Sequence, residues 1–222
     1  MRSTVPRADA RGEGRNAVGN ACARHALPLL MILLAAHPLP VSAGGQQNEL
    51  LSASTRASLS RAIADRPAPA DHLRSDPQGQ RWLDAMVVRL GERVPGKFPK
   101  RPDAVAFLNT VHYEAQRAGL DPQLVLALID VESHFRKYAV SGVGARGYMQ
   151  VMPFWVKEIG DPAHNLFSLR TNLRYGCIIL RYYLDRENGN LARALARYNG
   201  SLGKSEYSDA VSRAWHSGWK WS

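Results

Sequence analysis

A mainly α fold is predicted for this 222-residue chain by three observations. Apolar residues recur at i, i+3, i+4 and i+7 in one segment after another, the spacing of helices that bury a single face. The clearest helix start, Asp121 followed by Pro122, pairs a capping carboxylate with a residue whose missing N–H costs nothing in the first turn. No segment alternates apolar and polar residues over a convincing length, so no strand is expected.

Taken in order, the elements begin with a leader. Five arginines fall in the first 24 residues, followed by the apolar run Ala26 to Ala36 and by Val41-Ser42-Ala43. A basic start, an apolar core and a small-residue cleavage site read as a signal peptide over residues 1–43, cut after Ala43. The run is eleven residues long, short of the ~20 that span a bilayer, so no stable membrane anchor is expected; an uncleaved anchor is the alternative. Cys22 precedes the run, and no cysteine follows it at a lipidation position. The mature chain is therefore expected to be periplasmic.

Residues 44–76 read as a short helical N-terminal extension, loosely ordered. Gln47 to Asp65 is a polar helix rich in Ser, Ala and Arg, and Arg66 to Asp71 a linker. The main domain is expected over residues 77–222. Its first helix, Gln78 to Leu90, carries Trp82, Leu83, Met86 and Leu90 on one face, and Val94 to Pro99 breaks the chain. Ala104 to Ala118 follows, with Val105, Leu108, Val111, His112 and Ala115 inward. Later helices carry the stripe Leu169, Leu173, Gly176, Cys177, Leu180 and Leu184, and then Leu191, Ala194, Leu195 and Tyr198, which turns Tyr198 inward. Trp215, Trp219 and Trp221 near the C-terminus are expected to pack a last amphipathic helix rather than stack on a ligand.

Removing the leader leaves 24 basic and 17 acidic residues, a net charge of +7. Such a surface suits anionic partners in general, but arginines and lysines are spread over several helices and match no nucleic-acid motif, so no nucleic acid is expected. Cys177 becomes the only mature thiol, which excludes an intramolecular disulfide, and its place on an apolar stripe makes it a buried small residue. The seven histidines are scattered, none at helical ligand spacing with another His or Cys, so neither metal nor other cofactor is expected.

Chemistry concentrates at Glu132. On the helix that starts at Pro122, Val125, Leu128 and Ile129 form an apolar stripe on which Glu132 falls at i+7. A carboxyl held on such a face is disfavoured in its charged form, so its pKa rises toward the range of a general acid at neutral pH. Beyond the helix, Ser141 to Pro153 contains Gly142, Gly144 and Gly147, which allow close backbone approach or positive φ.

These residues carry a family resemblance. Glu132-Ser133-x-Phe135, then Ser141-x-x-Gly144-Ala145-x-Gly147-x-Met149-Gln150-x-Met152-Pro153, then Asn165-Leu166 and Asn172-Leu173-x-x-Gly176-x-x-x-Leu180, then Ala196-x-Tyr198-Asn199, resemble the soluble lytic transglycosylase (SLT) domain. The four blocks stand in order between about Leu120 and Leu202. The resemblance implies a lysozyme-like helical domain with an active-site cleft, acting on the glycan strands of bacterial peptidoglycan. Glu132 matches the single acid/base; Ser133 follows it in the family motif and is expected to support the local helix end. Ser141 matches a serine that assists at the N-acetyl group, although a turn-forming role is an equally good local account. Met149 and Gln150 match residues lining the sugar sites, and Tyr198 a tyrosine whose hydroxyl lies beside the catalytic carboxyl. Asn199 either binds sugar or caps its helix in a left-handed turn. Two positions depart from the family pattern: Tyr148 stands where leucine is commoner, narrowing or hydroxylating the cleft wall, and Arg197 where a small residue is commoner.

Asp130 lies two residues from Glu132 and projects from the opposite side of the helix, so the usual pair of glycosidase carboxylates is not evident. The resemblance implies a substrate-assisted cleavage of the bond between N-acetylmuramic acid and N-acetylglucosamine that leaves a 1,6-anhydromuramoyl end. A muramidase using water, or a non-catalytic glycan-binding scaffold, are the alternatives.

Overall fold

The computed structural model describes residues 46–64, 72–73 and 76–221. The expected leader, 1–43, and the linker Arg66 to Asp71 lie outside them. Among the described residues the chain forms α1 (Ala53–Ala64), α2 (Pro77–Arg93), α3 (Arg101–Arg117), α4 (Pro122–Ser133), α5 (Phe154–Ile159), α6 (Leu169–Arg186), α7 (Leu191–Asn199) and α8 (Glu206–Arg213), followed by a π-helical turn, Ala214–Gly218. The only β pairings among these residues are isolated bridges of Val140 with Arg146 and of Arg146 with Val151. The mainly α class expected from periodicity is the one observed.

Helix α4 sits at the centre because it is apolar all round. Leu124 to Ile129 are all buried, and a helix with no polar face must be covered on every side. Helices α3, α8 and the π-turn pack directly on it; α6 packs on α3 and α7, and α2 on α3. Its start is as expected: Asp121 Oδ1 accepts from the Gln123 N–H at 2.7 Å, with Pro122 in the first turn. In α2, Trp82, Leu83, Met86 and Leu90 are buried together. In α3, Phe107 joins the core while Val105 stays at the rim. Cys177 is buried and free, and Trp219 is wholly buried while Trp215 and Trp221 are partly so.

The extension differs from expectation at its start. Helix α1 begins at Ala53 rather than Gln47, because the Ser52 hydroxyl accepts from the Thr55 N–H at 3.1 Å and so caps the first turn. The far end of α1 is held as firmly. Arg117 donates to the Ala62 carbonyl at 2.9 Å and Arg174 to the Ile63 carbonyl at 3.2 Å, satisfying acceptors that a helix terminus leaves open. Both guanidiniums also bind the buried Glu114, Arg174 at 2.9 Å and Arg117 at 3.2 Å. An ion pair inside the domain thus fixes the extension against α5 and α6.

Between α4 and α5 the chain makes a bridged loop that α6 clamps from below. Asn172 of α6 is wholly buried. Its Oδ1 accepts from the Met149 N–H at 2.8 Å, while its Nδ2 donates to the Arg146 carbonyl at 2.8 Å and the Leu166 carbonyl at 2.9 Å. No side chain fits above it: a Cβ on Gly147, which has φ +74°, would lie 2.4 Å from Asn172 Nδ2 and 2.6 Å from the Leu166 carbonyl. One turn along α6, a Cβ on Gly176 would lie 2.4 Å from Met149 Sδ, so the missing side chain is the seat of Met149.

Asn172→Ala is expected to lower unfolding free energy by about 2–4 kcal/mol, because three buried backbone groups lose their partner at once. Urea denaturation measures this; a loss below about 1 kcal/mol would mean that water replaces the clamp.

Candidate active site

Glu132 lies in the last turn of α4, 7% exposed. Its Oε1 accepts from the Tyr207 hydroxyl at 2.5 Å, and its Oε2 is buried without a hydrogen-bond partner. Burial pushes its pKa from the ordinary 4.5 up to about 8, opposed in smaller measure by the Tyr207 hydrogen bond. No other carboxylate contributes to that shift. Asp130 is spent elsewhere: its Oδ2 accepts from Arg93 at 2.7 Å and from the Trp219 indole N–H at 3.1 Å. It thus anchors α2 and the C-terminal turn to α4, from the side opposite to Glu132.

The backbone leaves α4 abruptly at the site. His134 and Phe135 both take positive φ, 46° and 57°, an uncommon conformation for residues with side chains. The turn is held from both sides. The Ser133 hydroxyl donates to the Tyr148 carbonyl at 2.7 Å, tying the helix end to the glycine loop. The Phe135 ring packs against Phe107 and Trp219, with centroids 5.8 and 5.3 Å away. Ser133 therefore supports the helix end, as its position suggested.

The remaining expected residues gather around this loop, though several use their functional atoms differently. Tyr198 is buried, but its hydroxyl donates to the Met149 carbonyl at 2.7 Å instead of to Glu132. Burial and the nearby Glu132 charge hold its phenol well above the usual range. Met149 does not face a sugar site with its side chain, which is wholly buried on Gly176. Gln150, at φ +48°, directs its amide Nε2 into the carbonyls of Gly147 at 3.0 Å and Ala139 at 3.2 Å, so this donor shapes the loop. The Ser141 hydroxyl oxygen accepts from the Ala145 N–H at 3.1 Å, the turn-forming role. At the end of α7 the left-handed cap is Gly200, with φ +80°, and not Asn199. Asn199 is 3% exposed, and its Nδ2 is a buried donor with no partner. Tyr148 packs its ring on Phe107 at 5.1 Å and lines a separate cavity with Phe98, Phe135 and Lys97.

Tyr207 escaped the reading of the sequence. It stands on the short helix α8 with Val211 at i+4, and both are buried, so inward orientation was readable. That its hydroxyl would meet a carboxyl 75 positions earlier was not. Burial and the Glu132 charge hold this phenol, too, well above its usual range, so it stays a donor. Among the described residues no group of three or more His, Cys, Asp or Glu could hold a metal ion, and no helix is long and apolar enough to cross a membrane.

Residues 109–215, which contain Glu132, the glycine loop, Tyr198 and Tyr207, match the transglycosylase SLT domain. A transglycosylase of Enterobacteria phage PRD1 is 33% identical over 109 residues, 47% of this chain and 38% of that protein. The membrane-bound lytic murein transglycosylase C of Cronobacter sakazakii is 29% identical over 148 residues, 60% of this chain and 40% of that one. Its counterpart from Yersinia enterocolitica is 32% identical over 126 residues, 50% and 35% respectively. The chain thus spans at most 40% of the length of these relatives. Among solved structures, an inactive mutant of the lytic transglycosylase Slt from Pseudomonas aeruginosa aligns with 69% of this chain and 24% of its own, at 29% identity and a TM-score of 0.41. The 70 kDa soluble lytic transglycosylase of Escherichia coli aligns with 72% and 27%, at 21% identity and a TM-score of 0.42.

A buried acid makes stability depend on pH. Glu132 ionises near 4.5 when unfolded and about 8 when folded. Between these values the unfolded chain releases a proton that the folded chain keeps, so stability falls as pH rises. Glu132→Gln is expected to be progressively more stable than wild type from pH 4 to pH 8, the gap widening by on the order of 3–5 kcal/mol. Paired urea melts at the two pH values measure it; a constant gap would mean that water reaches the carboxyl.

Proposed function

We propose that this chain is a peptidoglycan lytic transglycosylase working from one carboxyl group. The observation that carries the reading is Glu132 itself, a buried acid with one orienting phenol and no second carboxylate in contact. With Oε1 accepting from Tyr207, the proton of the neutral acid resides on Oε2, the oxygen without a partner. That oxygen protonates the glycosidic oxygen between N-acetylmuramic acid and N-acetylglucosamine. The 2-acetamido group of the muramic acid supports the developing positive charge at the anomeric carbon, an exception to the two-carboxylate rule. Glu132, now ionised, takes the proton of the same sugar's 6-hydroxyl as that oxygen attacks the anomeric carbon. The glycosidic bond breaks, a 1,6-anhydro ring closes, the acid is regenerated and no water is consumed. Asn199 Nδ2 supplies an unspent donor for the sugar, and the Ser141 hydroxyl retains a proton to donate.

The peptidoglycan substrate and a site of action outside the cytoplasm follow from this reading together with the leader-like N-terminus and the murein transglycosylases named above. A muramidase would need a second carboxylate within about 9.5 Å to activate water, and no other carboxylate contributes to the Glu132 shift. The test is the mass of the products. Digestion of purified sacculi in water enriched in heavy oxygen is expected to give muropeptides one water lighter than hydrolytic products, resistant to borohydride and free of the heavy isotope. Reducible products carrying the isotope would establish hydrolysis. Glu132→Gln is expected to abolish solubilisation.

The two tyrosines separate in the same assay. Tyr207→Phe removes the hydrogen bond that fixes the Glu132 rotamer and is expected to lower turnover about ten- to a hundredfold, as the loss of one positioned bond to a group that ionises during the reaction does. Tyr198→Phe frees only a backbone carbonyl and is expected to affect melting temperature more than rate. The reverse ranking would return the orienting role to Tyr198.

A further inference from the structure

We infer that residues 46–51 are a built-in occupant of the sugar site, the Gln46 carboxamide standing where an acetamido group of the glycan binds, so that the enzyme as described is self-inhibited. This rests on the glycan-cleaving reading of Glu132. Gln46 precedes α1 and is far from the catalytic loop in sequence, yet it is 5% exposed. Its Oε1 accepts from the Met152 N–H at 3.2 Å and its Nε2 donates to the Gln150 carbonyl at 3.4 Å. A buried amide therefore bridges two backbone groups of the glycine loop.

Its chemistry identifies what it displaces. One C=O and one N–H on a planar amide meet one backbone N–H and one backbone C=O two residues apart. The acetamido substituent of an N-acetylated sugar presents the same two groups, so it competes for the same pair. Both bonds to Gln46 are long, and the segment has no regular structure of its own up to the Ser52 cap, so an outside amide can replace it.

A second observation is independent of Gln46. Glu49 pairs with Arg197 at 3.1 Å and also with Arg186. Arg197 is the residue that departs from the family pattern immediately before Tyr198-Asn199, and Glu187 braces its guanidinium from the other side. The departure thus has a use, to hold the segment across the end of α7.

The test uses full-length protein carrying Glu132→Gln, so that glycan binds without turnover, with and without Gln46→Ala or Glu49→Gln. The probe is tri-N-acetylchitotriose, titrated by calorimetry. Both second substitutions are expected to tighten binding about 3- to 10-fold, because the competent fraction of the site rises. In the catalytically intact protein, Gln46→Ala is expected to lower the KM for soluble glycan strands by a similar factor at nearly constant kcat. Unchanged or weaker binding in the Gln46→Ala protein overturns the inference and makes Gln46 a fixed wall of the site. Failure of wild type to cleave sacculi would count against the proposed activity alone, since the binding comparison reads the occupant directly.

Discussion

Everything in this domain is arranged around the burial of one carboxyl group. Moving a carboxylate out of water is unfavourable by several kcal/mol, and the fold avoids that state by keeping Glu132 neutral near neutrality rather than pairing it with a cation. A neighbouring lysine or arginine would have removed the acid. A phenol does not: Tyr207 binds Oε1 in either protonation state and carries no charge, so it positions the group while leaving most of the shift in place. The apolar stripe of α4 and its cover of α3, α8 and the C-terminal turn are what make the burial possible.

The loop that faces the acid is rigid for a different reason. Its glycines make it permissive, yet its backbone groups are held by side chains from outside it: Asn172 takes three, Ser133 takes the Tyr148 carbonyl and Tyr198 the Met149 carbonyl. Left-handed His134, Phe135 and Gln150 are tolerated because each is tied down, by the Asp130 carbonyl, by aromatic packing and by two loop carbonyls respectively. Strain and hydrogen bonds together fix the backbone of the loop.

Period and capping made the helices legible, the starts of α2 and α4 to within a residue, because their apolar stripes and caps are local properties. Glu132 was legible for the same reason, being an acid on an apolar stripe. What escaped were the contacts that close through space. Tyr198 and Tyr207 are both inward tyrosines on short amphipathic helices, and nothing local distinguishes the one that reaches a carbonyl from the one that reaches the acid. The motif alone places Met149 toward sugar, but the gap above Gly176, 27 positions later, draws it into the core. For Asn199 the local sequence allows both ligand and cap, and Gly200 takes the cap itself. The extension looked loose because its composition is polar. It is docked by arginines of α3 and α6, whose buried partner, Glu114, no periodicity argument had assigned.

The inferred occupant offers an account of how a site built on neutrality is protected from its own exposure. Oε2 of Glu132, the Asn199 amide and the Gln150–Met152 backbone pair are polar groups that a ligand would satisfy, and in an empty cleft water would reach them and lower the carboxyl pKa toward its ordinary value. Chain from the molecule itself covers part of that loop, with an amide in place of a sugar's amide and an ion pair at Arg197 to hold it. Cover of this kind keeps the surroundings dry before substrate arrives and yields to a ligand of like chemistry. On the proposed activity, the acid then stays protonated until a glycan takes over the task of excluding water, which is the moment at which its proton is needed.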